Sequence, residues 1–115
     1  MQYGICNLSI IPVRIEQNDA SEMVTQLLFG EHFKVLEAQK KWSKIRNAFD
    51  NYEGWIDRIQ HFDVSEKYYQ DFDKQTHPIL TKYSTLVYKG NIFYPILMGS
   101  VLPFYDREFI KLNDY

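Results

Sequence analysis

The sequence predicts a mainly β protein whose centre is a small β-barrel. Residues alternate with period two in the runs 32–37 (HFKVLE) and 40–46 (KKWSKIR), and this spacing favours strands over helices. Aromatic residues make up 17% of the 115 residues, a high share for this length. Large rings fill the limited interior of a small barrel efficiently. These observations together predict short twisted strands around aromatic anchors.

The central strands are predicted between residues 30 and 57. Gly30 stands where a turn would enter the first strand, and the polar stretch 39–41 separates this strand from the second, which predicts a hairpin. A third strand is predicted at Glu53–Asp57. Within it, Gly54 stands where a larger side chain would crowd a neighbouring backbone.

Three motifs in this stretch resemble a known family. They are F-G-E-x-x-x-V-L-E from Phe29, K-x-W-x-K-I-R from Lys40 and Y-E-G-W-I from Tyr52. Together they resemble the bacterial SH3 (SH3b) domain, and most closely the first SH3-like domain at the front of NlpC-type cell-wall peptidases. The resemblance covers roughly residues 3–60, and a weaker one relates residues 86–115 to the opening of a second such domain.

The segments before the central strands are predicted from apolar and polar runs. Tyr3–Ile11 is apolar and predicts a first strand, which Pro12 should end because proline lacks a backbone donor. Residues 13–25 are polar and predict a long loop. In an SH3-like barrel this loop corresponds to the RT loop, which usually faces ligand. Long loops in compact domains are functional or mobile, and an idle charged loop is the alternative.

Two tryptophans and one tyrosine admit a core or a surface role. Trp42 and Trp55 are expected in the core, because a barrel this small needs large side chains inside. Tyr52 follows a turn predicted at residues 47–51. It could lie on the core or stand out as a binding platform.

A short helix is predicted after the first barrel. A single helical turn is expected near residues 56–60, and a helix over 65–72 begins with Ser65 as N-cap. Tyr68, Tyr69 and Phe72 share one face of this helix. Pro78 closes the segment. We interpret it as a linker helix packed against the first barrel.

The C-terminal segment predicts further strands that do not complete a barrel. Strands are expected at 85–89 and 108–112, with a turn at Gly90–Asn91. An SH3-like domain needs roughly 60 residues, more than residues 79–115 provide. The apolar residues of this segment therefore need a cover. It could be the first domain, a second copy by strand exchange, or a further C-terminal part, which the resemblance favours.

The predicted organisation is a small SH3-like β-barrel, a short linker helix and a second, incomplete SH3-like barrel. The boundaries are 1–60 for the first barrel, 61–78 for the linker and 79–115 for the partial second domain.

Composition restricts the classes of partner. The net charge is −2, so no basic surface for nucleic acid is implied, and the longest apolar stretch is too short to span a bilayer. We expect neither nucleic acid nor membrane as a partner. No signal peptide follows Met1. If Met1 is the natural start, a cytoplasmic location is predicted.

The sequence predicts no catalytic centre and no cofactor. It contains neither a glycine-rich phosphate loop nor metal-ligand spacing, so we expect no cofactor and no metal. Cys6 is the single cysteine, and its apolar neighbours predict a buried thiol. The three histidines show no motif that would pair them with Cys6. NlpC-type peptidases carry their cysteine in a D-C-S-G-like motif, which is absent here. We therefore expect a non-enzymatic chain.

The resemblance implies a role in substrate recognition. In this family the first SH3-like domain closes one end of the groove that binds murein peptides, L-Ala-γ-D-Glu followed by a diamino acid. An aromatic walls the groove and an acid pairs with the free amino end. The Y-x-G-W motif assigns Tyr52 as the aromatic. The family's acid position is occupied by Val24, so the neighbouring Glu22 is the candidate acid, against the alternative of a solvated side chain.

Three functions follow as hypotheses. The first is the non-catalytic substrate-recognition and scaffold region of a cytoplasmic γ-D-glutamyl-L-diamino acid endopeptidase in murein recycling, partnered by murein peptide and by the catalytic domain of the same protein. The second is a stand-alone SH3-like peptide or cell-wall binding module that uses Tyr52, Trp42 and the polar loop. The third is an assembly piece, a homodimer through the incomplete second barrel.

Overall fold

The structure, a computed structural model, describes residues 2–18, 21–81, 84–89, 92–106 and 109–112. Its larger sheet contains β1 (Gln2–Ile5), β2 (Ile10–Arg14), β3 (Met23–Leu28), β4 (His32–Ala38), β5 (Trp42–Asn47), β6 (Glu53–Asp57) and β7 (Phe62–Val64). A 3-10 helix (Arg58–Gln60) joins β6 to β7, and α1 (Glu66–Asp73) follows. A separate hairpin consists of β8 (Ser84–Lys89) and β9 (Ile92–Leu97). The predicted mainly β class is confirmed.

The seven strands form one antiparallel sheet in the order β3-β2-β6-β5-β4-β1-β7. Register shifts at Val13–Arg14 and Val35–Glu37 mark bulges, which bend and twist strands. Within the described residues β3 and β7 stand at the two ends of this row, so the predicted closed barrel is wrong. The junction of β2 with β6 is only one residue pair wide, Arg14 with Trp55.

The three predicted central strands are confirmed. β4 and β5 form the hairpin expected around residues 39–41, and β6 has the bounds predicted for the third strand. A Cβ at Gly54 would overlap the side chain of Val13. The glycine therefore lets β2 cross closely over β6. The single helical turn predicted after β6 is the 3-10 helix.

Of two core clusters among the described residues, the smaller one includes Ile5 and Tyr69, and the larger one lies on one face of this sheet. Alternate residues of β4, β5 and β6 point into it, and Phe33, Ile45 and Ile56 are fully buried. The other members of this cluster are Cys6, Ile11, Val13, Leu27 and Val35. Period-two patterning thus fixes which side chains become core.

The prediction that both tryptophans fill the core is wrong. Trp42 and Trp55 are half-buried. In β5, Trp42 alternates with the buried Ser43 and Ile45, so its side chain belongs to the opposite face. In β6 the same alternation places Gly54 and Ile56 inside and Trp55 outside. Strand parity determines their position, and ring size does not override it.

The predicted first strand is also corrected. Residues 3–11 contain two strands, β1 and the start of β2, and Pro12 lies inside β2 opposite Gln26. Proline is tolerated where the strand does not need its N–H, and β2 has a single paired position on its β6 side. Because β2 extends to Arg14 and β3 begins at Met23, the polar loop is shorter than predicted and covers residues 15–22.

The helix prediction is confirmed, including its cap. Ser65 Oγ accepts a hydrogen bond of 3.1 Å from the Tyr68 N–H. Tyr68 and Tyr69 are buried. The ring of Tyr69 stacks on Tyr3 of β1 at 4.4 Å between centroids, and Phe72 stacks on His32 of β4 at 3.5 Å. The helix therefore packs against the β1 and β4 side of the sheet.

The described residues after α1 do not form a second barrel. They contain the β8–β9 hairpin and two isolated bridges, Ile79 with Val101 and Asp106 with Phe109. Gly90 and Asn91, the predicted turn, lie outside the described residues. In the described part of the strand predicted at 108–112, only Phe109 makes a strand-type bridge. The predicted boundaries 1–60, 61–78 and 79–115 stay predictions.

Part of the C-terminal segment is covered by the first sheet and α1. The Val101 N–H donates to the Phe29 carbonyl at 2.8 Å, and Gly30 faces the Val101 carbonyl so closely that a Cβ would overlap it. The Phe104 ring lies 5.3 Å from Tyr68 and 4.8 Å from His77. For Val101, the cover is therefore the first of the three predicted alternatives, the first domain. Phe104 is covered instead by residues of the predicted linker, Tyr68 and His77.

Candidate functional site

A groove of about 760 Å³ opens where three loops of the large sheet meet. Its walls come from the 15–22 loop, the β4–β5 hairpin loop and the end of β6 with the 3-10 helix. The lining residues are Gln17, Asn18, Lys40, Lys41, Trp42, Asp57, Arg58 and Ile59. This volume lies within the range typical of small-molecule and cofactor sites. We name this feature the loop groove.

The hairpin wall is held by Arg58. The Gln39 N–H donates to the Trp42 carbonyl at 2.8 Å, which closes a tight turn. The Arg58 guanidinium donates to the Gln39 carbonyl at 2.6 Å, and the Arg58 N–H donates to the Lys41 carbonyl at 3.0 Å. These bonds fasten the hairpin loop to the 3-10 helix, so this side of the groove is preformed.

The 3-10 wall begins with a local cap. Asp57 has an extended backbone, and its Oδ1 accepts a 3.0 Å hydrogen bond from the Ile59 N–H. Opposite it in the sheet lies Trp42. The turn leaves Ile59 93% exposed, so an apolar side chain projects into solvent at the groove.

The 15–22 loop has its own internal bonds. The Ile15 N–H donates to the Glu22 carbonyl at 2.9 Å, and the Ser21 N–H donates to the Asn18 carbonyl at 3.0 Å. Arg14 Nη1 reaches the Ser21 carbonyl at 3.1 Å. These bonds join the described residues at the two ends of the loop, and Gln17 and Asn18 line the groove.

Positive charge predominates at the loop groove. Lys40, Lys41 and Arg58 face one carboxylate, Asp57, among the lining residues. Trp42 adds a half-buried aromatic surface. The arrangement fits a ligand that combines negative charge with an apolar group, because complementary charge steers and orients partners.

The predicted site residues lie outside the lining of the loop groove. Glu22 is exposed and stands directly before β3. Tyr52 stands directly before β6, is 46% exposed, and its N–H donates to Asp50 Oδ1 at 3.0 Å. An exposed Tyr52 agrees with a platform rather than a core position. Its role and that of Glu22 in substrate binding stay predictions.

Sequence reasoning missed most of the loop groove. It placed Trp42 in the core and named it, with the polar loop, as a binding residue only in the binding-module hypothesis. It did not select Lys40, Lys41, Arg58 or Ile59. The available signal was the K-K-W run at the hairpin, which puts two cations next to an aromatic residue at one predicted turn. The contribution of Arg58 depends on the fold, which brings the end of β6 beside this hairpin.

The described residues also contain a serine, a histidine and an aspartate in a row. Ser43 Oγ lies 3.3 Å from His61 Nδ1, and His61 Nε2 lies 2.7 Å from Asp63 Oδ1. Burial lowers the pKa of His61, and Asp63 opposes this shift. Ser43 is fully buried, so no substrate reaches its hydroxyl. The row joins β5 to β7 and is structural.

Cys6 is a buried thiol, as predicted. Its Sγ lies fully inside the core and donates to the Leu8 carbonyl at 3.2 Å. Burial raises the pKa of Cys6 to about 12. A thiolate is the nucleophilic form of cysteine, so this residue is unsuited to nucleophilic catalysis near neutral pH.

The described residues contain neither a metal-ligand cluster nor a membrane-spanning helix. Among them, no group of three or more histidine, cysteine, aspartate or glutamate side chains could hold a metal ion. None of the helices in this part of the chain has the length and apolar character required to cross a membrane.

The fold and the loop groove define a class, a small antiparallel β domain with a ligand-sized groove between its loops. Residues 13–59 match the family model described as the bacterial dipeptidyl-peptidase SH3 domain, and this match supports an SH3b domain. All residues that line the loop groove fall within the matched stretch. No curated protein matches the chain.

Proposed function

We propose that this chain is the substrate-recognition and scaffold region of a bacterial γ-D-glutamyl-L-diamino acid endopeptidase that acts on murein peptides in cytoplasmic cell-wall recycling. The observation that carries the proposal is the match of residues 13–59 to an SH3 domain of bacterial dipeptidyl-peptidases. A peptidase-associated binding domain accounts for a β domain with exposed loops. On this proposal a separate catalytic domain supplies the nucleophile, because Cys6 is buried.

Recognition would use two exposed residues, Glu22 directly before β3 and Tyr52 directly before β6. Glu22 would pair with the free ammonium of the peptide's L-Ala, and Tyr52 would form an aromatic wall beside it. A carboxylate and an ammonium interact weakly in open solvent and more strongly where a second wall excludes water. The catalytic domain would provide that second wall.

The test is a titration of the chain with L-Ala-γ-D-Glu-diamino acid tripeptide, followed by amide chemical shifts. We expect shifts at Glu22, Tyr52 and the 15–22 loop. Glu22→Gln should weaken binding about fivefold, the scale of one exposed ion pair. Glu16→Gln is the matched control, because Glu16 is an exposed carboxylate on the same loop.

A second peptide isolates the ammonium contact. Acetylation of the L-Ala amine removes the positive charge, so the acetylated tripeptide should bind the unaltered chain about as weakly as the free tripeptide binds Glu22→Gln. Equal binding of both peptides to the unaltered chain would contradict the amine contact. No shift with millimolar free tripeptide would contradict a recognition surface built into this chain alone.

A stand-alone SH3-like peptide or cell-wall binding module is the second candidate. The loop groove favours it, because its described walls come from residues 17–59 and need no further domain. The two candidate functions predict different sets of amide resonances that shift when the murein tripeptide is added. Shifts confined to the loop groove would favour the binding module, and shifts at Glu22 and Tyr52 would favour the peptidase region.

An assembly role is the third candidate, and the β8–β9 hairpin favours it. Leu86 and Tyr88 are 60% and 66% exposed on one face of this hairpin. A homodimer through this segment would cover them. Light scattering across a concentration series tests this, and a monomer at every concentration would contradict it.

A further inference from the structure

The loop groove has a charge pattern that the proposed contacts at Glu22 and Tyr52 do not use. Neither residue lines it. An inference about this groove therefore goes beyond the peptidase proposal. It rests on the second candidate, the binding module, whose site is this groove.

Two of its cations are available to a ligand. Lys40 and Lys41 are exposed. The ion pairs among the described residues are Arg46 with Glu53 and His61 with Asp63, and they involve neither lysine. Both ammonium groups lie on a turn whose backbone is fixed by Arg58. The turn fixes the backbone from which the two side chains project, and described side chains leave their charges unneutralised.

The third cation and the single carboxylate are partly engaged. One guanidinium N–H of Arg58 donates to the Gln39 carbonyl. A guanidinium has five N–H donors, so the others can contact a ligand. Asp57 directs its Oδ1 to the Ile59 N–H. The carboxylate therefore serves as a local cap, and the groove keeps an excess of positive charge.

Two apolar side chains line the same groove as these charges. Trp42 is half-buried beside Lys41, and Ile59 is almost fully exposed. An indole ring held on a strand gives rigid contact area at low entropic cost. The groove therefore combines two apolar side chains with three cations.

We propose that the loop groove binds a short acidic peptide. Its carboxylates contact Lys40, Lys41 and Arg58, and an apolar side chain between them packs on Trp42. A peptide fits better than a simple anion, because the groove of about 760 Å³ is far larger than one carboxylate needs and has an aromatic wall.

The experiment uses the chain labelled with ¹⁵N and a defined probe, acetyl-Glu-Glu-Leu-Glu-amide. The readout is the indole N–H resonance of Trp42. Trp55 is an internal control, because it is the other tryptophan, is also half-buried, and does not line the groove. We expect the indole N–H resonance of Trp42 to shift on titration and that of Trp55 to remain unchanged.

Charge is tested on both partners. The peptide acetyl-Gln-Gln-Leu-Gln-amide has nearly the same size without charge and should leave the Trp42 indole in place. The double variant Lys40→Glu with Lys41→Glu should weaken binding of the acidic probe at least tenfold, since two attractions become two repulsions. The control double variant, Lys67→Glu with Lys74→Glu, makes the same change in net charge at exposed positions outside the groove and should bind normally.

Three outcomes would overturn the proposal. One is an unmoved Trp42 indole with the acidic probe at millimolar concentration. Another is equal binding of the glutamine peptide. The third is binding of polyphosphate or of an oligothymidylate as tight as that of the acidic probe, since this would identify a general anion or nucleic-acid surface. The glutamine peptide keeps the test decisive if the Lys40→Glu, Lys41→Glu variant fails to fold.

Discussion

The seven-stranded sheet and the β8–β9 hairpin contain similar residues but bury them differently. In the sheet, Phe33 and Ile45 are fully buried. In the hairpin, Ile96 is fully buried, while Leu86 and Tyr88 on the opposite face remain exposed. A two-stranded hairpin is marginally stable alone, and other strands or a helix must pack on it to bury its apolar side chains. The difference shows that burial depends on the number of neighbouring strands as well as on apolar patterning.

The largest expected effect comes from a matched pair of aromatic truncations. Phe33→Ala should lower the free energy of unfolding by about 3–5 kcal/mol, because it empties a buried site. Tyr88→Ala, in the hairpin, should change it by less than about 0.5 kcal/mol. Urea denaturation followed by circular dichroism measures both. Losses of similar size would show that the hairpin is as well packed as the sheet.

The junction of the two regions is tested at Gly30. Its φ is +83°, and a Cβ would overlap the Val101 carbonyl oxygen. Gly30→Ala should lower the free energy of unfolding by about 3 kcal/mol, through backbone strain and this overlap. It should also disrupt the bond from the Val101 N–H to the Phe29 carbonyl. Urea denaturation and hydrogen exchange at Val101 are the measurements.

Gly99 provides the control for this junction. Its φ of +96° gives comparable backbone strain, but a Cβ there would meet only a flexible Leu28 methyl group at 3.1 Å. Gly99→Ala should cost about 1–2 kcal/mol. If both variants lose equal stability, close contact with Val101 contributes nothing beyond the strain of a positive φ.

Acid should weaken the packing of α1 on the sheet through His32. Burial lowers the pKa of His32 from 6.5 to about 3, although its bond to the Gly30 carbonyl opposes the shift. Between these values the unfolded chain binds the proton and the folded chain does not, so stability falls as pH decreases below about 6.5. At about pH 5.5 the loss relative to about pH 7.5 should be about 1.4 kcal/mol. Urea denaturation at both pH values measures it.

Two other groups also contribute to the pH dependence of stability, so the control must isolate His32. Burial also lowers the pKa of His61, which adds to the loss, whereas burial raises the pKa of Glu31, which opposes it. The substitution His32→Gln removes the titrating imidazole of His32 and leaves His61 and Glu31 in place. The variant should therefore show a smaller pH dependence by about 1.4 kcal/mol over the same interval. An unchanged pH dependence would exclude His32 as its source.

The regular part of the large sheet was predictable because it follows local rules. Alternation in 32–37 and 40–46 predicted β4 and β5, and Ser65 predicted the start of α1. Pro12 misled the prediction, since a proline ends a strand only where its N–H is needed. Closure of a barrel depends on pairing between distant strands, and period-two alternation carries no information about it.

The candidate site was less predictable. Tyr52 came from the Y-x-G-W motif, and Glu22 was chosen because it lies near Val24, which occupies the family's acid position. The loop groove instead combines Gln17, Lys41 and Arg58, which lie far apart along the chain and meet only through the sheet order. Trp42 was assigned to the core from its size, but the parity of β5 sets its side chain opposite Ile45. Sequence motifs therefore identified single candidate residues, whereas the groove residues could be grouped only from the sheet topology.

The smallest expected effect is on α1, the helix that contacts both the sheet and the C-terminal segment. Tyr69 stacks on Tyr3 of the sheet, while the Tyr68 hydroxyl donates to the Lys111 carbonyl at 2.5 Å in the C-terminal segment. Ser65→Ala removes the N-cap and should cost about 1 kcal/mol, whereas Ser65→Asn keeps an acceptor and should cost little. Hydrogen exchange should accelerate in α1 and at 109–112 but remain slow in β4 and β5. If β4 and β5 accelerate equally, the helix and the sheet unfold as one unit, and the stability difference between the two regions does not extend to their dynamics.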